Sequence, residues 1–518
     1  MSLRVLKAST VCLFAAFLFP ALALSQDGLT VKTEGGTVAG ALTEDGKVAM
    51  FLGIPFAAPP VGELRWKEPQ PVVPWAGVRA AKEFGSHCMQ AAAYGDMIFR
   101  DPGESEDCLT VNVWAPVKAK KMPVMVWIYG GGYQGGGSSE GRQDGQYLAH
   151  RGVIVVSMNY RLGIWGFMVH PELTAESPHH ASGNYGLMDQ RAALAWVKKN
   201  IEAFGGDPEN VTLFGESAGS FSVSTQMASP LSQGLFQKAI GESGGALSSS
   251  GNGAKTREER ETIDAAYAVK AFGTAKLADL RKLTANRLKA TIMSKETPGR
   301  FGPDVDGYFL PDTVANLYKA GKQAHIPLIA GWNADEGGTQ AKVYAATYQK
   351  FAEKEFPGRE KEFIALYPGG RDITALNSGN AYAGDKFIAY STWRWLEAQV
   401  RTGGKPVYRY RFELGSPGDK YHSASAGAFH SDEINYVFGT LALRPEAVWR
   451  PVDWVLSEKM GEYWTNFAKT GDPNADGLPP WPVYGPEQWQ VLHLDERSIA
   501  LPDDLRARYL FLDSVWGK

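Results

Sequence analysis

Val211-Thr212-Leu213-Phe214-Gly215-Glu216-Ser217-Ala218-Gly219-Ser220 decides the reading of this chain. An apolar run with β-branched residues stops at Gly215, and a long segment of helical character follows Ser220. Ser217 stands between Gly215 and Gly219 in the spacing G-x-S-x-G. In a strand–turn–helix setting, a sharp turn lifts the serine oxygen off the end of the strand. The small flanking residues let neighbouring backbone pack closely around it. The same five residues also make ordinary Gly/Ser turns. The reading therefore depends on whether the chain supplies a base, an acid and donors for an oxyanion.

Working outward, apolar runs at 110–114, 124–129, 153–158, 236–242 and 326–331 read as strands, and 406–413 alternates as one. Residues 187–204 carry the spacing of an amphipathic helix, stopped by Gly205-Gly206-Asp207-Pro208. A later helix is expected over 457–469 and a short strand over 490–494. Strands separated by helical segments predict an α/β fold, with a large, mostly parallel central sheet flanked by helices. Residues 28–55 read as a small antiparallel start. Helical stretches around 250–320 and 340–400 read as insertions in a single domain over 26–518. Ligands in such sheets bind beyond the carboxyl ends of strands.

The chain has 518 residues, 44% of them hydrophobic, enough for a large core. Its formal net charge is −3 with no basic run, which leaves nucleic-acid binding without an electrostatic footprint. Arg4 and Lys7 precede an apolar stretch over 11–24, and Ala21-Leu22-Ala23-Leu24-Ser25 offers small-residue cleavage positions. Residues 1–25 thus read as a signal peptide, with the mature protein secreted or periplasmic. No later stretch is apolar and long enough for a transmembrane anchor. Cys12 would leave with the signal. Cys88 and Cys108 then form an even pair in an exported chain, which reads as a disulfide. No His/Cys pair has metal-ligand spacing, so no metal site is expected.

A serine hydroxyl needs a base to remove its proton, and the base needs an orienting carboxylate. Where a nucleophile elbow is present, the partners follow in the order Ser, Asp/Glu, His. The histidines beyond Ser217 are His325, His422, His430 and His493. His325 precedes a strand and so lies at the wrong end; His493 sits within a probable strand. Position leaves His430 and His422 open, with His430 favoured by the small-residue loop before it. Asp335 and Glu336 follow the 326–331 strand, and spacing does not choose between them. Gly130-Gly131-Gly132 follows a buried strand, and its N–H groups, with that of Ala218, suit an oxyanion hole.

Several stretches together resemble the type-B carboxylesterase/lipase family of α/β-hydrolases, which includes cholinesterases and bacterial para-nitrobenzyl esterases. They are residues 51–66 (Phe-Leu-Gly-Ile-Pro-Phe through Leu-Arg-Trp), Glu106-Asp107-Cys108-Leu109, residues 127–132, Asn159-Tyr160-Arg161, residues 214–219, Asp335-Glu336-Gly337 and residues 427–439. The resemblance runs from about residue 30 to 515. It implies Glu336 as the acid and His430 as the base of a triad with Ser217, and Gly131, Gly132 and Ala218 as oxyanion donors. It implies the Cys88–Cys108 disulfide as well. Glu216, Ser243 and Glu433 match polar groups that support the triad in relatives, and Arg65–Glu106 and Arg161–Asp189 match structural ion pairs. The implied activity is a serine hydrolase of carboxylic esters, acting through an acyl-enzyme on a small-molecule ester and water without a cofactor. The alternatives are a hydrolase of a specific natural ester or amide, such as a mycotoxin or phenolic ester, and a non-catalytic adhesion module.

Overall fold

A computed structural model describes residues 29–90, 94–247, 255–297, 299–337, 343–421, 424 and 427–517. The signal-peptide reading at 1–25 and His422 lie outside these residues.

A sheet of eleven strands forms the centre of the molecule. Across it the strands run Ile499–Pro502, Gln490–Leu494, Val407–Phe412, Leu328–Asn333, Lys238–Glu242, Gly206–Glu216, Met122–Ile128, Ile154–Met158, Thr110–Pro116, Val48–Pro55 and Ala41–Leu42. From Gln490–Leu494 to Ile154–Met158 every neighbouring pair is parallel. The strands outside that block pair antiparallel. The inner strands are buried on both faces, as in Ile154–Met158 and Leu328–Asn333, because helices cover each side. Their sequences accordingly read as continuous apolar runs.

The small N-terminal sheet is a hairpin of Thr30–Thr33 and Gly36–Ala39, extended in parallel by Val78–Ala80. The 48–51 segment departs from the sequence reading. It belongs to the central sheet as Val48–Pro55, antiparallel to Thr110–Pro116. A register shift between Phe51 and Ile54 lets the strand carry its Gly and Pro, residues that argue against regular pairing.

Helix Tyr185–Asn200 packs beneath the sheet with Leu187, Ala193, Leu194 and Val197 fully buried. Helix Ala218–Ala228 starts directly behind Ser217. The late helix begins earlier than its apolar pattern suggested, at Pro451, and ends at Thr470. Pro451 sits at the first helical position, where a missing N–H costs nothing. The 255–320 region contributes helices Arg257–Phe272, Leu277–Arg281, Ala285–Ile292 and Val314–Lys319. Four more helices occupy 345–402: Ala345–Glu355, Glu360–Leu366, Asp372–Gly384 and Tyr390–Thr402. Among the described residues no helix is long and apolar enough to cross a membrane.

The carboxyl ends of five parallel strands open on one side. They deliver Gly130–Gly132, Ser217, Ser243, Asp335–Glu336 and, by a longer loop after Phe412, His430.

Candidate active site

Ser217 is the single residue between the Gly206–Glu216 strand and the Ala218–Ala228 helix. Its φ of 52° and ψ of −120° lie outside the ordinary allowed regions for a side-chain-bearing residue. Such a conformation persists only where the surroundings enforce it. Here the Ser217 N–H donates to the Glu242 carbonyl at 2.8 Å, and the helix start is pressed onto the neighbouring strand. A Cβ on Gly219 would stand 2.0 Å from the Ile128 carbonyl oxygen, so no larger residue fits that contact.

His430 Nε2 lies 2.8 Å from Ser217 Oγ, and His430 Nδ1 lies 2.6 Å from Glu336 Oε2. The other Glu336 oxygen accepts the Asn333 backbone N–H at 2.8 Å, which fixes the carboxylate plane. Asp335 points elsewhere. It pairs with the Phe429 backbone in an isolated bridge, and its carboxylate accepts from the Gly427 N–H. Adjacent residues at a strand end diverge, and only the longer, second side chain meets the imidazole. His325 Nε2 instead lies near the Gly321 carbonyl at 3.0 Å, and His493 Nδ1 lies 3.1 Å from Glu413.

Carboxyl groups crowd this histidine. Glu216 Oε1 is 3.3 Å from His430 Nε2. Burial disfavours the imidazolium, but Glu336 and Glu216 outweigh it and hold His430 above the usual imidazole range. Burial pushes the Glu216 carboxyl up to about 8, against the pull of His430, and Glu433 repels it further. Glu433 rises to about 7 through burial and repulsion by Glu336. It accepts from Asn333 Nδ2 at 2.5 Å and from Ser243 Oγ at 3.3 Å. Burial also raises Glu242, whose Oε1 accepts the Trp464 indole N–H at 2.8 Å.

Gly130–Gly132 forms a tight turn beside Ser217. Gly131 has φ +104°, and a Cβ there would stand 2.1 Å from the Gly135 carbonyl oxygen. Position 131 therefore requires glycine. Among the described residues the Gly131 and Gly132 N–H groups have no hydrogen-bond acceptor. Ala218 is the first residue of its helix, and its N–H has no intrahelical partner either. Unused donors beside a serine oxygen can stabilise negative charge that develops there.

With this geometry in view, residues 27–510 match the model of the carboxylesterase family. The chain belongs to that family. It is a carboxylic ester hydrolase with an α/β-hydrolase fold. It is 37% identical to a Bacillus subtilis para-nitrobenzyl esterase, over 92% of this chain and 96% of that one. It is 35% identical to a fumonisin B1 esterase of Sphingopyxis macrogoltabida, over 91% of this chain and 88% of that one. A solved PNB esterase chain superimposes with a TM-score of 0.78 at 34% identity, covering 93% of this chain and 99% of that chain.

In this carboxylesterase fold the supporting contacts come from distant sequence. Cys88 and Cys108 are joined by a disulfide. Next to it, the Gln90 carboxamide donates to the Gly136 carbonyl at 3.1 Å and accepts its N–H at 3.0 Å. The disulfide-held segment thereby braces the glycine-rich turn. Arg65 and Glu106 form a two-pronged pair at 2.6 Å for each bond, and Arg161 clamps buried Asp189 at 2.7 Å. Asn333, Gln90, Glu242 and Phe387 were not legible as site residues. Asn333 and Glu242 close apolar strands next to singled-out residues, and that adjacency was the available signal. Phe387 sits on a π-helical turn, Asp385–Ala389, and sets its ring edge-on to His430 at 5.2 Å. It is 54% exposed beside the imidazole.

Proposed function

We propose that this chain cleaves carboxylic esters by a Ser217–His430–Glu336 triad through an acyl-enzyme intermediate. The carrying observation is the unbroken chain of contacts, 2.8 Å from Ser217 Oγ to His430 and 2.6 Å from His430 to Glu336. His430 Nε2 takes the Ser217 proton as Oγ attacks the ester carbonyl carbon. The tetrahedral oxyanion is held by the N–H groups of Gly131, Gly132 and Ala218. His430 returns the proton to the departing alcohol, leaving the acyl group on Ser217. Water then attacks, giving its proton to His430, and the carboxylic acid leaves as Ser217 is regenerated. Glu336 keeps the Nδ1 proton in place and stabilises the imidazolium formed in each half.

Glu216 and Glu433, the latter bonded to Ser243 and Asn333, act by positioning and by polarising this unit, without touching the reacting carbon. The observed disulfide suits an oxidising compartment, which supports export of the mature chain. The test of the reading is Ser217→Ala with a p-nitrophenyl ester. Loss of turnover, and of the acyl adduct that intact-mass measurement finds on the parent protein, is expected. Undiminished alcohol release by the variant would refute it.

A further inference from the structure

The glycine turn has a second neighbour that the mechanism above leaves unused. A Cβ on Gly132 would stand 3.4 Å from the Tyr94 hydroxyl oxygen and 3.7 Å from Nη2 of Arg300. The other end of the turn touches the nucleophile: a Cβ on Gly130 would stand 3.0 Å from Ser217 Cβ. Two peptide steps of about 3.8 Å separate those glycines, which puts the guanidinium on the order of 10 Å from the reacting serine. Arg300 and Tyr94 are both exposed. Among the described residues Arg300 has no carboxylate partner.

The placement of Arg300 is built by its neighbour. Gln134 Nε2 donates both to the Gly132 carbonyl at 3.3 Å and to the Phe301 carbonyl at 2.5 Å, tying the two backbones together. Phe301 is buried and stacks edge-on with Tyr267 at 5.4 Å. Arg300 thus leaves an anchored backbone with its charged fork beside the glycine turn. Deeper in the site Glu216, Glu336 and Glu433 gather around His430, and burial holds Glu216 and Glu433 toward their neutral forms. An anionic group on a substrate is attracted by the guanidinium at the rim. A guanidinium and a phenol hydroxyl side by side offer the fork and the extra donor that bind a carboxylate in two-pronged fashion.

We propose that Arg300, assisted by Tyr94, is a specificity residue that selects esters carrying a second, ionised carboxylate, with the scissile ester at Ser217. The inference rests on the ester-hydrolase reading of Ser217. The distance suits about four methylenes between ester and carboxylate.

The test compares monoethyl adipate with ethyl hexanoate by pH-stat, and 4-acetoxybenzoate with its methyl ester. The first pair carries the carboxylate on the acyl side, the second on the alcohol side. Parent protein, Arg300→Met, Arg300→Lys and Tyr94→Phe are assayed on all four. For at least one pair, the anionic-to-neutral ratio of kcat/KM in the parent is expected to fall about 10- to 100-fold in Arg300→Met, mainly through KM. Arg300→Lys should recover part of the ratio, and added salt should lower it in the parent and in Arg300→Lys but not in Arg300→Met. The pair that responds identifies the side on which the carboxylate lies. A ratio that Arg300→Met leaves unchanged in both pairs overturns the inference while Ser217-dependent hydrolysis of ethyl hexanoate stands. Hydrolysis unaffected by Ser217→Ala overturns the ester-hydrolase reading itself.

Discussion

Replacing Glu336 with Gln isolates the orienting role of the carboxylate. The side chain keeps its size, and the Asn333 N–H, which donates to Glu336 Oε1 at 2.8 Å, selects the amide oxygen for that position. The amide NH2 then faces His430 Nδ1, now 2.6 Å away from an acceptor oxygen. Nδ1 must become the acceptor, so the imidazole proton moves to Nε2, where it points at Ser217 Oγ. A histidine in that tautomer cannot take the serine proton. In a serine protease the comparable change lowers kcat by about 10⁴, or about 5.4 kcal/mol at 1.36 kcal/mol per tenfold. We expect a loss of that order here, with KM within about threefold. Burst and steady-state kinetics on a p-nitrophenyl ester measure it, with circular dichroism and urea unfolding as controls for the fold. The acid limb of the profile should also move to lower pH, since Glu336 is a main cause of the raised His430. A drop in kcat of less than tenfold would refute the tautomer argument.

Four further outcomes follow from the same structure. In Glu216→Gln, the carboxyl 3.3 Å from His430 Nε2 loses its ability to ionise through about 8, so the base form of His430 is reached sooner. The acid limb of kcat/KM against pH should move to lower pH, and a move to higher pH contradicts the assigned electrostatics. Gly131→Ala forces a Cβ toward the Gly135 carbonyl oxygen, and displacing one oxyanion donor should cost about 10²-fold or more in kcat, read by steady-state kinetics. The Cys88→Ala/Cys108→Ala double variant should lose roughly 3 kcal/mol in urea unfolding, and loosening of the Gln90 brace should lower activity as well. Arg161→Ala leaves Asp189 buried without its cation and should cost about 3–5 kcal/mol by the same measurement, whereas a loss below about 1 kcal/mol would show the pair to be dispensable.

Much of the fold was readable because parallel strands buried on both faces are continuous apolar runs, and the runs at 124–129, 153–158 and 236–242 needed no tertiary information. The start of the chain was less readable. Nothing local says whether Val48–Pro55 closes a small hairpin or joins a large sheet, since either partner satisfies its backbone. The helix Pro451–Thr470 presents Trp454 and Val455 to solvent near its start, off the apolar face that periodicity detects, so the apolar pattern begins only at 457.

The sequence by itself determined the family and pointed to the elbow at Ser217 and the order of its proposed partners, because the required residue types are fixed by chemistry and stand at strand ends. Spacing left Asp335 and Glu336 equal, since both follow one strand and direction depends on how the chain turns, and only the family resemblance implied Glu336. The tertiary structure brings Glu336 rather than Asp335 to the imidazole, through the Asn333 N–H on one oxygen and the Gly427 N–H on its neighbour. The neighbourhood of Gly132 was equally hidden. Tyr94, the Gly132–Gln134 turn and Arg300 are far apart in sequence, and their approach depends on loops packed over the sheet, which no periodicity encodes.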